Sequence, residues 1–260
     1  MTISIDNSKS WKISYQSDCV KFIEAFRRDC WDHQQVCSVL HDFFHNQLYP
    51  IQTICELGSG AGTNLQHLHQ FGYSCTGYEL NSESIAISRN RANLNNQNID
   101  FNQVDFFHDL PSNKTFDAVI SLFVPISISD MEKLADRAFD IINPGGYFIA
   151  MLLMVSPEFQ NVSSKKVEYT ESLEVDGIPV VRFNRYEKSL NQIDYLCTYL
   201  AGIGSDLQIF KDTDSYDLLV PQQRLRPKKE YSFITRKEIS GKPNQAPPMT
   251  MEVIDLFQKS

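Results

Sequence analysis

Three alternate glycines and two acids carry the clearest chemistry in this chain. In Ile54-Cys55-Glu56-Leu57-Gly58-Ser59-Gly60-Ala61-Gly62-Thr63 an apolar lead-in runs into Gly-x-Gly-x-Gly, and Leu65, Leu68 and His69 then begin a helical pattern. That order predicts a strand, a tight turn and a helix start. Glycine lets the backbone turn sharply and lets a ligand approach with no Cβ in the way. The helix N-terminus beyond it offers N–H groups and the positive end of a dipole. A glycine turn alone is a weak signal, and Cys75-Thr76-Gly77-Tyr78-Glu79 supplies its second member. It reads as the next strand and ends in an acid about twenty residues past the first glycine, the spacing that suits ribose hydroxyls. Together the two point to a nucleoside-containing cofactor. Glu56 narrows the choice, because a carboxylate beside the turn would repel a pyrophosphate and suits an ammonium group. The third glycine, Gly62, also comes one residue earlier than Gly-x-Gly-x-x-Gly requires.

A scaffold must hold these residues. Phe22, Ile23 and Phe26, then Val36, Val39, Leu40, Phe43 and Phe44, recur at helical spacing and predict a helical segment over 1–50. Strands at 53–57, 74–79, 99–104, 116–122 and 146–154 alternate with helices at 63–71, 83–95 and 130–142. Such alternation implies a parallel sheet with crossover helices. Beyond 154 the pattern changes. Two alternating runs flank Asp176-Gly177, a hairpin signal. Ile193, Leu196, Tyr199, Leu200 and Ile203 predict a helix stopped by Gly202 and Gly204, with a strand over 194–201 as the competing reading. Segments 207–210 and 231–235 read as the last two strands. The stretch 242–248 is Pro-rich and polar, and 251–257 reads as a short docked helix.

The order Glu-x-Gly-x-Gly-x-Gly resembles motif I of the class I S-adenosylmethionine-dependent methyltransferases. Asn102-Gln103-Val104-Asp105-Phe106 is similar to that family's segment after the third strand, Phe116-Asp117-Ala118-Val119-Ile120-Ser121 to its fourth strand, and Ile142-Asn143-Pro144-Gly145-Gly146-Tyr147 to the turn into its fifth. The resemblance keeps the family's order and spacing over about 54–154. It implies an α/β fold: a doubly wound, seven-stranded, mostly parallel sheet whose last strand is antiparallel, with an N-terminal helical lid and a β-hairpin insert after strand five. The expected organisation is a lid over 1–50, the methyltransferase domain over 51–238 with its hairpin insert at 165–187 capping the substrate, and a tail over 239–260.

The resemblance also implies roles. Glu56 would hold the methionine amine of S-adenosylmethionine; Gly58, Ser59, Gly60 and Gly62 would give the cofactor room. Glu79 would accept from both ribose hydroxyls, Leu80 would pack on adenine, and Asp105 would accept from the adenine amine. Phe106 is either an adenine neighbour or core. Ser121 and Leu122, at the end of strand four, complete the expected cofactor set. Substrate walls are expected from 122–126, with Phe123; from the lid, with Trp11, Tyr15 and Trp31; and from the hairpin, with Arg182. Methyl transfer asks for alignment and exclusion of water more than for side-chain chemistry, so Tyr15 and His108 are candidates only, and no base is nominated. His33, His41 and His45 read as surface or core.

Segment 122–126 lacks the Pro-Pro motif of adenine-N6 and glutamine-N5 enzymes, and the chain shows neither a paired-glutamate loop nor a Pro-Cys motif. No carboxylate cluster suggests a metal. A net charge of -8 argues against a nucleic-acid substrate, and no run approaches a membrane span. Six scattered cysteines without CxxC pairing, and a polar N-terminus with no leader pattern, suit a reduced, cytoplasmic protein. The expected activity is methylation of a small molecule, nitrogen ahead of oxygen. O-methylation, a non-catalytic binding protein and, less well, a nicotinamide dehydrogenase remain alternatives, and a homodimer is left open.

Overall fold

The computed structural model describes residues 20–30, 32–48, 50–124, 126–156, 159, 161–219, 223–229, 231–239 and 250–259. Trp11, Tyr15, Trp31 and the stretch 242–248 lie outside them. Two helices lead the described chain, α1 (Val20–Cys30) and α2 (His33–His45), the latter capped by Asp32, whose Oδ1 accepts from Gln35 N at 3.0 Å. The expected alternation follows: β1 (Thr53–Leu57), α3 (Thr63–Gln70), β2 (Ser74–Glu79), α4 (Ser82–Leu94), β3 (Asp100–Gln103), β4 (Phe116–Ser121), α5 (Ile128–Ala138) and β5 (Ile142–Val155). Asn81 and Ser127 cap α4 and α5, each accepting the N–H three residues on.

Strands β10 (Tyr231–Ile239) and β11 (Thr250–Lys259) complete a seven-stranded sheet in the order β10-β11-β5-β4-β1-β2-β3. Pairs among β1 to β5 are parallel; β11 runs antiparallel to both β5 and β10. Side chains alternate across the sheet. Ile54, Ala118, Ile120, Ile149 and Ile254 pack with α2, α3 and α4 on one face, while Cys55, Val119, Phe148, Val253 and Phe257 pack with α5 on the other. Asp117 ties three strands together at their start. Its Oδ2 accepts from the N–H groups of Gln52 and Thr53 and from Thr53 Oγ1, and its Oδ1 accepts from Asn143 Nδ2. Burial would raise its pKa, but these hydrogen bonds outweigh burial and hold it below the usual range.

Three expectations fail beyond β5. The hairpin is real, with β6 (Lys165–Val175) and β7 (Ile178–Lys188) joined at Asp176 and Gly177, both at positive φ (51° and 76°). It is half of a four-stranded antiparallel sheet that continues through β8 (Gln192–Ala201) and β9 (Gln208–Asp217). The helix expected over 193–203 is therefore strand β8, because Ile193, Tyr195, Cys197, Tyr199 and Ala201 are the buried members of a strict alternation. Gly202 and Gly204 serve the turn to β9 rather than a helix end. Segment 207–210 falls at the start of β9, outside the main sheet, so the last two strands of that sheet are β10 and β11. Residues 251–257, expected as a helix in a tail, lie within β11, between β5 and β10.

Candidate functional site

The glycine turn links β1 to α3 and stands in the left-handed region at Gly58, Gly60 and Gly62 (φ 76°, 50° and 74°). Two of these positions have no room for a side chain. A Cβ at Gly58 would stand 2.6 Å from Val124 Cγ2, and one at Gly62 2.5 Å from Phe101 Cζ. The turn is pinned from β2, where Tyr78 O accepts from Gly58 N (2.8 Å) and Ser59 N (3.2 Å). Glu79 accepts from Gly60 N through Oε2 (2.9 Å) and from Asn81 N through Oε1 (2.8 Å). Gly62 caps α3 and makes no side-chain bond to its first N–H groups.

Three buried carboxylates converge on this turn. Glu56, fully buried, accepts from Asn64 Nδ2 through Oε1 at 2.7 Å, while its Oε2 has no partner. Glu79 is nearly as buried, and Glu24 reaches in from α1; a Cβ at Gly60 would stand 3.5 Å from Glu24 Oε1. Burial dominates at Glu56; the Asn64 hydrogen bond opposes it, Glu79 and Glu24 add to it, and the carboxyl is pushed up to about 8. Burial and then the Glu79 charge push Glu24 up to about 7, against Arg91, a backbone bond from Ala61, and Arg28. Burial likewise raises Glu79, against its bonds from Asn81, Gly60 and Leu80. Ser59 Oγ is a second buried atom with no partner. Such a pocket suits a cation with hydrogen-bonding groups, since buried charge is stable only when compensated. The sulfonium, amine and ribose of S-adenosylmethionine fit it.

The other expected cofactor residues are more mixed. Leu80 is half-buried beside Glu79. Asp105 Oδ1 accepts from Phe107 N at 3.1 Å in the turn after β3, and His108, exposed, closes the same turn onto Asp105 O at 2.9 Å. Phe106 packs in the core beside Tyr78 and Phe116. Ser121 Oγ donates to Leu57 O at 3.3 Å, and Leu122 is core on the α2 face. Arg182 pairs with Glu171 across the β6–β7 hairpin and lies 4.4 Å above the Phe26 ring. It clamps the second sheet to α1 and does not line the neighbouring cavity.

That cavity, about 70 Å³, opens where the segment after β4 meets β9 and α1. Phe123, Val124, Ile126, Met151, Tyr216 and Arg27 are among the residues that line it. Phe123 adopts φ 57°, a left-handed conformation costly for a bulky residue. From Tyr216 a file of stacked rings crosses the second sheet: Tyr216–Tyr195 at 5.4 Å, Tyr195–Tyr186 at 6.0 Å and Tyr186–Tyr169 at 5.9 Å. Tyr195 donates to buried Asp212 at 3.0 Å, whose Oδ1 has no partner. The residues that line this cavity include Tyr216 and Asp217 of β9. The alternating aromatics of 195–199 and 210–216 were the signal for it. Glu24 and Arg27 carried none, since only the fold of α1 over the turn brings them there.

The family model described as "Methyltransferase domain" matches residues 27–199. The chain belongs to that family, the class I S-adenosylmethionine-dependent methyltransferases. It is 28% identical over 101 residues to a ubiquinone biosynthesis O-methyltransferase of Paramagnetospirillum magneticum, covering 39% of this chain and 40% of the relative. It is 26% identical over 161 residues to a sterol 24-C-methyltransferase of Schizosaccharomyces pombe, covering 60% and 41%. The chain thus spans about two fifths of the curated relatives it matches. In fold it resembles an amino pentose methyltransferase of Micromonospora echinaspora, solved with S-adenosylmethionine bound: TM-score 0.63 and 14% identity over 92% of this chain and 96% of that one. Among the described residues no helix is long and apolar enough to cross a membrane.

Proposed function

We propose that this methyltransferase moves a methyl group from S-adenosylmethionine to an amine nitrogen of a small molecule seated in the cavity between Phe123 and Tyr216. The observation that carries the reading is the convergence of Glu24, Glu56 and Glu79 on the glycine turn, with Glu56 Oε2 unpartnered. The cofactor, when bound, supplies a methyl already activated on a sulfonium. Glu56 Oε2 would take its amine. Glu79 would accept ribose hydroxyls on the lone pairs that Gly60 and Asn81 leave, because an ionised carboxylate has about four acceptor sites. Asp105 and Leu80 would meet the adenine. The residues after β4 and the Tyr216 wall would orient the acceptor and exclude water; alignment of this kind is worth about 7–11 kcal/mol. The fold neighbour named for an amino pentose makes amines the first acceptors to screen. O-methylation is the second reading, favoured by the relative named for ubiquinone biosynthesis.

Calorimetric titration with S-adenosylmethionine, S-adenosylhomocysteine and NAD is the first test, followed by transfer of labelled methyl to amine and hydroxyl acceptors. Binding of the two sulfur compounds with N-methyl product is expected; binding of NAD alone overturns the reading. The raised carboxyls add a pH signature. The folded chain keeps protons on Glu56 and Glu24 that the unfolded chain gives up above about 4.5, so stability without cofactor should decline as pH rises from there to about 8. Cofactor binding has the opposite slope. An ammonium needs Glu56 ionised, so affinity should fall by up to about tenfold per unit as pH drops below 8, and Glu56→Gln should flatten that slope. A wild-type affinity constant between pH 6 and 8 would remove Glu56 from the amine.

A further inference from the structure

We propose that His33 and Asn64 are positioning residues for the amino-acid end of the cofactor, acting through Glu56. His33 opens α2, and its Nδ1 lies 2.7 Å from Asn64 Oδ1. Asn64, almost wholly buried on the first turn of α3, donates from Nδ2 to Glu56 Oε1, also at 2.7 Å. An amide has one acceptor and one donor end. With its NH₂ committed to a carboxyl oxygen, Asn64 turns its carbonyl to His33, which fixes the His33 proton on Nδ1. Cys37 Sγ, one turn along α2, donates to Asn64 O at 3.5 Å and holds the same residue from the backbone side.

A lone carboxylate can spin about its last bond and offer either oxygen. Here Asn64 holds Oε1, so Oε2 alone is left to face a ligand. His33 in turn holds Asn64, and its ring stands edge-on to Phe123 at 4.9 Å. The relay therefore runs from the acceptor side, Phe123, through the lid helix to the cofactor acid. Part of this chain's lid is built into the cofactor site by hydrogen bonds, not merely laid over it. The inference rests on the reading of Glu56 as the amine's partner.

Two probes separate positioning from mere support. S-adenosylhomocysteine carries the amino-acid end; 5′-methylthioadenosine keeps the adenosine and thioether and lacks it. In the full chain His33→Ala should weaken S-adenosylhomocysteine about tenfold, the scale of one charge-assisted hydrogen bond, and leave 5′-methylthioadenosine within about twofold. His33→Asn, which keeps an N–H donor at the Nδ1 position, should restore most of the loss. In a Glu56→Gln background His33→Ala should add nothing, because the oxygen it positions no longer bears the charge. His33→Phe, which keeps the packing on Phe123 and removes the donor, reads the same loss if the alanine variant unfolds. Equal weakening of both probes, or no weakening of either, overturns the positioning role. Failure of the wild type to bind S-adenosylhomocysteine at all would instead overturn the cofactor reading, and this inference with it.

Discussion

Glu79→Ala should weaken S-adenosylhomocysteine binding at least a hundredfold, about 3 kcal/mol, while the melting temperature moves little. Two losses add in the bound state. The ribose loses a charged acceptor, worth about 1.5–3 kcal/mol per hydrogen bond. The turn also loses the group that holds Gly60 N and Asn81 N at 2.9 and 2.8 Å, so the cradle itself loosens. In the free protein the terms oppose each other. Two N–H groups lose their acceptor, but a buried carboxylate that faces Glu24, and that burial already holds above its ordinary pKa, is removed. Relief of that buried charge offsets the unmade bonds. Glu79→Gln should fall between, since its carbonyl can still accept from Gly60 N while its NH₂ would face Asn81 N. Calorimetric titration beside a thermal melt decides it. An unchanged titration curve removes Glu79 from the cofactor, and a collapse of the melt with unchanged affinity would make it a structural acid only.

The glycine turn was legible because its chemistry is local. Positive φ at Gly58 and Gly62 is a property of a ten-residue stretch, and the acid that pins the turn ends the very next strand; the lack of space there, set by Val124 and Phe101 from elsewhere in the chain, was not legible. The parallel strands were legible for a related reason: β4 and β5 carry buried apolar runs, and β1 and β2 lead straight into the glycine turn and its acid. The second sheet was harder. In 193–203 the apolar residues satisfy a helical spacing as well as a strand alternation, and only the pairing of Tyr195 with Tyr186 and Tyr216 on one face decides between them. Glu24, His33 and Asn64 were invisible as site residues for a different reason. Each is an ordinary helix residue until α1 and α2 fold across the turn, and no periodicity encodes which carboxylate then lies 3.5 Å from where a Cβ on Gly60 would stand or which imidazole meets the Asn64 amide.

Arg236→Leu should destabilise the fold by about 3–5 kcal/mol, the cost of leaving a buried charge without its partner, and the reason explains why β11 was misread. Asp255 is fully buried midway along that strand, between β5 and β10, with Val253 and Phe257 on either side of it on the α5 face. A carboxylate there, with Glu252 three residues before it, breaks the apolar run expected of a central strand and suggests an exposed helix face instead. It is tolerated because Arg236 stands directly opposite in β10 and grips it with two bonds, Nε to Oδ1 at 2.5 Å and Nη2 to Oδ2 at 2.7 Å. The guanidinium fork matches the carboxylate in geometry as well as charge. If this pairing is what permits the acid, the double variant Arg236→Leu/Asp255→Leu should recover the whole loss or exceed wild type by about 1–4 kcal/mol, since two apolar residues pay no desolvation. Urea unfolding of the three variants reads this directly. A single variant as stable as wild type would show that Asp255 is compensated elsewhere; a double variant as weak as the single would show that the strand needs the ion pair itself. Recovery would place Asp255 among residues kept for register and not for strength, because only one alignment of β11 on β10 brings the two charges together.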